Sequence, residues 1–491
     1  MRSEKKLLFG ILLAGLILRM IRIDSRDIWY DDAFSIFLAR QPVERIISGT
    51  AADTMPPLYY FLLHGWMQLG QSIWFLRSLN VLLSLAIVYL VYRWISDLFG
   101  TRAGLWAGGI AAVSPLAIYH AQELRMYVLL TFSLLGYAWF FTRIIQHKLL
   151  FGKTWWNWPG MILCGICAMY SHNLAVFTLV VPVVWAAALK RWDLFIRMLG
   201  ALAAIGIGSL PWLIFIPGQV EKIQAAFWTP KPGLVEILQM VIIFFSNLPL
   251  PAILLLIAAI GSFQVILFVM VESRRNRWKD DATWLLVSFA VLPPSLLFIA
   301  SYFMRPIFVP RAVIFSSLAL FGCIARVAGC GQKKGIGIFL GSLTIFLALL
   351  GLPYQYTYNE FPRSPYQKTA ATLMETTRPA EIVIHDNKLS YFPMSVYAPN
   401  LEQVFLADAP GSHNDTLAPA SQQAMGIFPE AGIEQAAGDA KYLKFVVYRT
   451  TIQEYLQQSK GSHPIIAWLD QQFQLTGHQV FNDLEIFEYI R

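Results

Sequence analysis

The sequence predicts a polytopic α-helical membrane protein that ends in a small external α/β domain. Three observations carry that class. Of the 491 residues, 56% are hydrophobic and 14% charged, with a mean hydropathy of +0.53, a balance unlike that of soluble chains of this length. The apolar residues fall into long runs, and the basic residues collect in the short stretches between them. From about Tyr356 onward the chain becomes polar and its periodicity changes. A net charge of +8 can signal nucleic acid, but cations confined to inter-span loops report membrane topology instead.

The first apolar run, Leu7 to Leu18, follows Arg2, Lys5 and Lys6 like a secretory leader. It lacks a small-residue cleavage site and more spans follow, so it is expected to stay as the first crossing. A long outer-face loop covers about 23–72. Within it Ala33, Phe34, Phe37 and Leu38 share a helical face, and Val43, Ile46 and Ile47 continue the pattern, which predicts helices lying in the interface plane. Further spans are predicted near 73–95, 103–119, 127–147, 157–172, 174–189, 198–216, 252–271, 282–302, 309–328 and 336–354, about eleven crossings in all. The run from Leu234 to Pro251 is assigned as re-entrant or interfacial, because a full crossing there would put the next basic loop outside.

Basic clusters at Arg2/Lys5/Lys6, Arg93/Arg102, Arg143/Lys148/Lys153, Lys190/Arg191/Arg197, Arg274/Arg275/Arg277/Lys279 and Arg326/Lys333/Lys334 mark cytoplasmic loops. The expected setting is therefore the cell's inner membrane, with a cytoplasmic N-terminus and a periplasmic C-terminal domain. The acidic stretch 22–32, Tyr119 to Tyr127, Ser171-His172-Asn173, 217–249 (with Glu221, Lys222 and Trp228) and Met304 to Arg311 then share the outer face.

Residues 1–355 form the membrane domain and 356–491 the external one. In the latter, Glu381–His385 and Lys444–Tyr448 read as strands, Tyr366–Thr376 and Pro464–Phe473 as helices, and Asn482-Asp483 as the turn of a closing hairpin. Strand order is not legible. Cys164, Cys167, Cys323 and Cys330 lie in or beside apolar runs, so no disulfide framework is implied, and Cys164/Cys167 read as helix packing.

Ionisable residues beside apolar spans are costly unless they face a cavity or a partner. Asp24, Asp27, Asp31 and Asp32 with Arg22 and Arg26 form one such group, and a carboxylate acting as helix N-cap is its bland alternative. Gln122, Glu123 and Arg125 interrupt an apolar hairpin, where a Glu–Arg pair at the interface would also account for them. His172 stands between two spans. Arg305 and Arg311 flank Pro306-Ile307-Phe308-Val309-Pro310 on the face that is poor in cations, where a guanidinium suits a phosphate or snorkels to lipid headgroups. Acids and arginines gathered on one side of a helical bundle suggest an enzyme acting on a lipid phosphate.

Arg22-x-Asp24 with Ile28-Trp29-Tyr30-Asp31-Asp32-Ala33, then Pro56-Pro57-Leu58-Tyr59-Tyr60, Ser114-Pro115 with Gln122-Glu123-x-Arg125-x-Tyr127, and Pro306 to Arg311 form an ordered set. Over roughly 1–360 it resembles the bacterial membrane glycosyltransferases of family 39, relatives of protein O-mannosyltransferases and of the lipid A aminoarabinose transferase. The resemblance implies the GT-C architecture, a polyprenyl-phosphate-linked sugar as donor and reaction on the external face, with a lipid, glycan or protein as acceptor. It maps the family's catalytic carboxylate onto Asp31. Asp32 stands where the family commonly has a longer acid, which keeps the charge and alters the reach. Met55 stands where His is common before the two prolines, which removes a polar contact bearing on the acceptor or a metal.

On that reading Asp31 takes the proton of an acceptor hydroxyl in a single inverting displacement. Arg125, Arg311 and Arg305 stabilise the leaving phosphate, and Glu123, Tyr127, His172, Arg22, Arg26 and Tyr59 line the site. Repulsion from Asp32 calls for positive charge near Asp31. Arg22, Arg26, Arg125 or a divalent cation held by Asp32, Glu123 and His172 would supply it. Adjacent helical residues point about 100° apart, so Asp31 and Asp32 do not form a retaining glycosidase pair. A lipid-linked oligosaccharide ligase or polymerase would use the same chemistry. A transporter or flippase would place its charges near midplane, with repeat symmetry that this chain lacks.

Overall fold

The computed structural model describes residues 2–146, 155–225, 229–275, 280–331, 334–409, 412, 415–457 and 461–491. The loop cations Lys148, Lys153, Arg277, Lys279 and Lys333, and Trp228, lie outside the described residues. The chain divides into two compact units, Met1–Ile23 with Thr50–Tyr356 and Asp24–Gly49 with Thr357–Arg491. The expected division is 1–355 and 356–491; here segment 24–49 groups with the C-terminal residues.

The helices run α1 (Arg2–Met20), α2 (Tyr30–Ala39), α3 (Val43–Ala52), α4 (Leu58–Met67), α5 (Ile73–Phe99), α6 (Thr101–Val113), α7 (Pro115–Ala121), α8 (Tyr127–Gln146) and α9 (Asn157–Ser171). A 3-10 turn, Asn173–Ala175, leads to α10 (Val176–Leu179) and α11 (Val181–Ala188), followed by α12 (Trp192–Leu213), α13 (Ile216–Ala225) and α14 (Leu234–Ser246). Then come α15 (Ala252–Arg275), α16 (Asp281–Phe303), a 3-10 turn at Pro310–Val313, α17 (Ile314–Cys330) and α18 (Lys334–Thr357). Among the described residues, seven helical segments are long and apolar enough to cross a membrane: α5, α8, α12, α15, α16, α17 with its leading turn, and α18.

Eleven single-helix crossings are not found in that form. The run expected at 103–119 breaks at Ser114-Pro115, where proline removes a donor and clashes with the preceding turn; Ser114 caps α7 by accepting the Ala117 N–H at 3.4 Å. The run expected at 174–189 breaks into the 3-10 turn, α10 and α11, with Pro182 in the first turn of α11. α14 has 13 residues, about 20 Å of helix against about 30 Å of hydrocarbon, short of a crossing.

Breaking a helix among apolar neighbours frees carbonyls that must find donors. Buried Arg19 supplies them. Its guanidinium donates to Ala112 O at 2.8 Å, Ala111 O at 3.3 Å, Gly15 O at 3.0 Å and Ser84 Oγ at 2.8 Å. One side chain thus serves the end of α6 and joins it to α1 and α5. Close packing of α6 against its neighbours depends on small residues. A Cβ on Gly104 would lie 2.6 Å from Tyr92 O, and one on Gly329 2.5 Å from Ala103 N.

The second unit holds a five-stranded sheet of order β2-β1-β3-β5-β4, from β1 (Ile382–His385), β2 (Gln403–Phe405), β3 (Tyr442–Tyr448), β4 (Gln474–Phe481) and β5 (Leu484–Ile490). β1 is parallel to both β2 and β3, whereas β5 is antiparallel to β3 and β4. The expected hairpin turns at Asn482, whose φ of +53° suits asparagine. Period-two alternation sends Val383, Val446 and Ile486 into one core and Ile384, Phe445 and Val447 into another. Helices α19 (Tyr366–Thr376), α20 (Lys388–Tyr397), α21 (Pro419–Met425), α22 (Ile433–Ala437), α23 (Arg449–Gln457) and α24 (Pro464–Gln472) complete the unit. The strands predicted at 381–385 and 444–448 and the helices at 366–376 and 464–473 recur within a residue or two; the three-residue β2 was too short to register.

α2 corrects one expectation. Its apolar face has a protein neighbour in α20, with Tyr30, Phe34 and Phe37 5.1, 6.5 and 5.7 Å from the Phe392 ring. Aromatic pairs of this kind are worth about 0.5–1.5 kcal/mol each beyond the area they bury.

His385 ends β1 in full burial, 3.0 Å from Ser390 Oγ and 3.1 Å from Gln403 Oε1. Burial disfavours the imidazolium and lowers its pKa from 6.5 to about 4, although the Gln403 contact opposes the shift. A depressed folded pKa means that this contribution is present above 6.5 and is lost as pH falls toward about 4. Stability of the wild-type protein should therefore fall with acidification across that window by up to about 1.4 kcal/mol per pH unit from this group. Denaturant melts at stepped pH should show a flatter dependence for His385→Asn.

Candidate active site

Between α7 and α8 five residues, Gln122 to Met126, leave helical geometry while wholly buried. Non-helical backbone among membrane helices persists only where protein groups satisfy it. Asn80, in the N-terminal third of α5, donates through Nδ2 to Glu123 O at 2.5 Å, to Arg125 O at 3.0 Å and to the Tyr59 hydroxyl at 3.3 Å. The Gln122 amide donates to Arg19 O at 2.9 Å and Ile21 O at 2.8 Å. Two amide side chains thus fasten the link.

So held, the link presents its charged residues to a ring of partners. His120 Nδ1 lies 2.7 Å from Glu123 Oε2, a buried pair. Arg125 donates to the Tyr60 hydroxyl at 3.3 Å. The Tyr127 ring stands 5.3 Å from His120 and 5.8 Å from His172, and the Arg311 guanidinium lies over Tyr127, 5.3 Å from its centroid. His172 Nδ1 accepts the Leu174 N–H at 3.1 Å, so its ring proton is on Nε2. Two guanidinium groups and a carboxylate give the cluster a cationic balance suited to an anion.

The remaining residues of this unit are placed as follows. Arg305 donates to Gln224 O at 2.9 Å, at the end of α13. Arg22 takes a positive φ of 57° and donates to Tyr356 O at 2.6 Å. Tyr59 is buried and joins the link through Asn80.

In the second unit, Trp29 is the N-cap of α2, and Asp31 and Asp32 are its second and third residues. The N-cap alternative for these acids is therefore not met, although carboxylates in a first turn still favour the helix dipole. Asp31 is partly exposed, while Asp32 is wholly buried and pairs with Arg363 at 3.1 Å. Arg363 also donates to Asp27 O at 2.8 Å. Arg26 is buried in the same segment.

Among the described residues no group of three His, Cys, Asp or Glu side chains is arranged to hold a metal ion. Of the donors foreseen, Asp32, Glu123 and His172, Asp32 is engaged by the Arg363 guanidinium and Glu123 by His120. Asn80, His120, Tyr60 and Arg363 escaped the sequence. Asn80 was findable as a lone amide inside an apolar run; Arg363 had no signal, since its partner lies 331 positions away.

Removing one member of a buried ion pair strands the other charge, at a cost of about 3–5 kcal/mol, whereas replacing both is often neutral. Arg363→Ala should therefore lower unfolding stability by about that amount, with Asp32→Asn/Arg363→Met much closer to wild type. Denaturant titration in detergent, followed by Trp fluorescence, reads both.

Residues 54–215 match the family model described as dolichyl-phosphate-mannose-protein mannosyltransferase. The fold is similar to that of ArnT from Cupriavidus metallidurans in the apo state, with a TM-score of 0.63 at 11% identity over 99% of this chain and 98% of that one. ArnT bound to undecaprenyl phosphate gives 0.63 at 11% identity, covering 98% and 97%. The Archaeoglobus fulgidus oligosaccharyltransferase in complex with Zn and sulfate gives 0.54 at 10% identity, covering 99% and 73%. At such identities the likeness is one of fold, a bundle of apolar helices followed by a C-terminal α/β region. No curated protein matches it in sequence.

Proposed function

We propose that this protein is an inverting glycosyltransferase that moves a sugar from a polyprenyl-phosphate donor to an acceptor hydroxyl on the external face of the inner membrane. The observation that carries the reading is the cationic cluster around Tyr127, where Arg311 lies over a ring that meets neutral His172 and the buried His120–Glu123 pair, with Arg125 held on the Tyr60 hydroxyl. The family-model match and the fold shared with a protein seen with undecaprenyl phosphate support it.

The chemistry divides between two tasks. Asp31, which the sequence resemblance singles out, accepts the proton of the acceptor hydroxyl as that oxygen attacks the anomeric carbon; such general-base help is typically worth 10²–10⁴-fold. Arg125 and Arg311 stabilise charge on the departing lipid phosphate, a role suited to guanidinium geometry. Glu123, through His120, and His172 keep the neighbourhood of Tyr127 polar. The fold shared with an oligosaccharyltransferase supports a second reading, transfer of a preassembled glycan, which the mass of the transferred group separates from the first.

The test uses purified protein and a panel of undecaprenyl-phosphate-linked hexoses and pentoses, reading release of undecaprenyl phosphate. Asp31→Asn should lower turnover by about 10²-fold or more with the folded state intact. Turnover near wild type would remove Asp31 from the mechanism.

A further inference from the structure

We infer that Arg363 is a positioning residue for the reaction, acting through Asp31; this rests on Asp31 being the base. Asp31 occupies the second position of α2, and the six residues ending at Asp32 are fastened at four places by the C-terminal part of their own unit. Gln367 donates its N–H to Asp27 Oδ1 at 2.6 Å, Ile28 donates its N–H to the Tyr397 hydroxyl at 3.0 Å, and the Tyr30 ring meets Phe392 edge-on at 5.1 Å. The fourth place is Arg363, which bridges the Asp27 carbonyl at 2.8 Å and the Asp32 carboxylate at 3.1 Å. It grips both ends of the segment.

That bridge does two things for its neighbour. It fixes the first turn of α2 against the non-helical chain that leads into it, and so fixes the direction in which the Asp31 carboxylate leaves the backbone. It also spends the charge of Asp32 on a guanidinium, so that the two adjacent acids do not stand side by side as bare like charges. A base must sit within hydrogen-bond reach of the proton it takes, and displacement by about 1 Å costs on the order of 10²-fold. Conversely, Asp32 is wholly buried within this pair while Asp31 is partly exposed, which suits the first to support and the second to meet an acceptor. Gln367, Tyr397 and Phe392 hold the same segment through Asp27, Ile28 and Tyr30.

A double-mutant cycle tests this with the full-length protein in detergent and the undecaprenyl-phosphate sugar of the panel that turns over fastest. Arg363→Ala should lower kcat by about 10²-fold while the KM for the lipid donor stays within a few-fold of wild type. In an Asp31→Asn background the same change should add little, because a base already removed cannot be mispositioned. Should Arg363→Ala fail to fold, Asp32→Asn/Arg363→Met takes its place in the cycle, since it strands no buried charge. If the two effects multiply, or if kcat is unchanged in a folded Arg363 variant, the positioning role is overturned while Asp31 can remain the base. If Asp31→Asn itself turns over normally, the base assignment fails, which the Asp31→Asn arm reports by itself.

Discussion

The membrane unit depends on one constraint: a buried stretch of backbone that is not helical must have every polar group satisfied by protein. In the link from Gln122 to Met126 Asn80 serves the Glu123 and Arg125 carbonyls, and the Gln122 amide serves those of Arg19 and Ile21, just as Arg19 serves the end of α6. A continuous helix through this region would need neither amide. It would also carry Glu123 and Arg125 on a regular helical surface, instead of turning them toward His120 and Tyr60. Because unsatisfied carbonyls in an apolar surround cost several kcal/mol each, the position of the break is fixed as firmly as any helix in the bundle. Glu123 and Arg125 inherit that rigidity.

The second unit uses the same physics with the opposite sign. There a buried carboxylate, Asp32, is the group in need of a partner, and Arg363 provides it. Breaking such a pair is expensive even though its formation adds little net stability. Buried pairs of this kind therefore serve better as devices of geometry than of stability. Around it the aromatic contacts of Tyr30, Phe34 and Phe37 with Phe392 hold α2 to α20, so the acidic segment is part of a folded unit and not a loose external loop.

Legibility in the sequence followed the range of the interactions. Spans such as 73–99 and 127–146, and elements such as Tyr366–Thr376, were readable because hydropathy and periodicity are local properties. The acidic pair, Gln122-Glu123-x-Arg125, Tyr127, His172 and Arg311 were readable as polar residues in costly places, and family resemblance ordered them. The breaks were partly visible in Ser114-Pro115 and Pro182, yet continuous hydropathy concealed them. What no local signal carried was pairing: Asn80 with carbonyls 43 and 45 residues onward, and Asp32 with an arginine 331 positions away. The α2 face had the pattern of an interfacial helix because a lipid boundary and a protein neighbour ask the same of an apolar stripe.

The central claim is that the cluster around Tyr127 receives the phosphate of a polyprenyl lipid. Titration of the purified protein with undecaprenyl phosphate, read by native mass spectrometry, addresses it most directly. Arg125→Gln and Arg311→Gln should each weaken binding by about tenfold or more, the equivalent of about 1.4 kcal/mol, while Lys222→Gln, a cation paired with Asp53 elsewhere in the unit, leaves it unchanged. Equal affinity in wild type and both arginine variants would contradict the account.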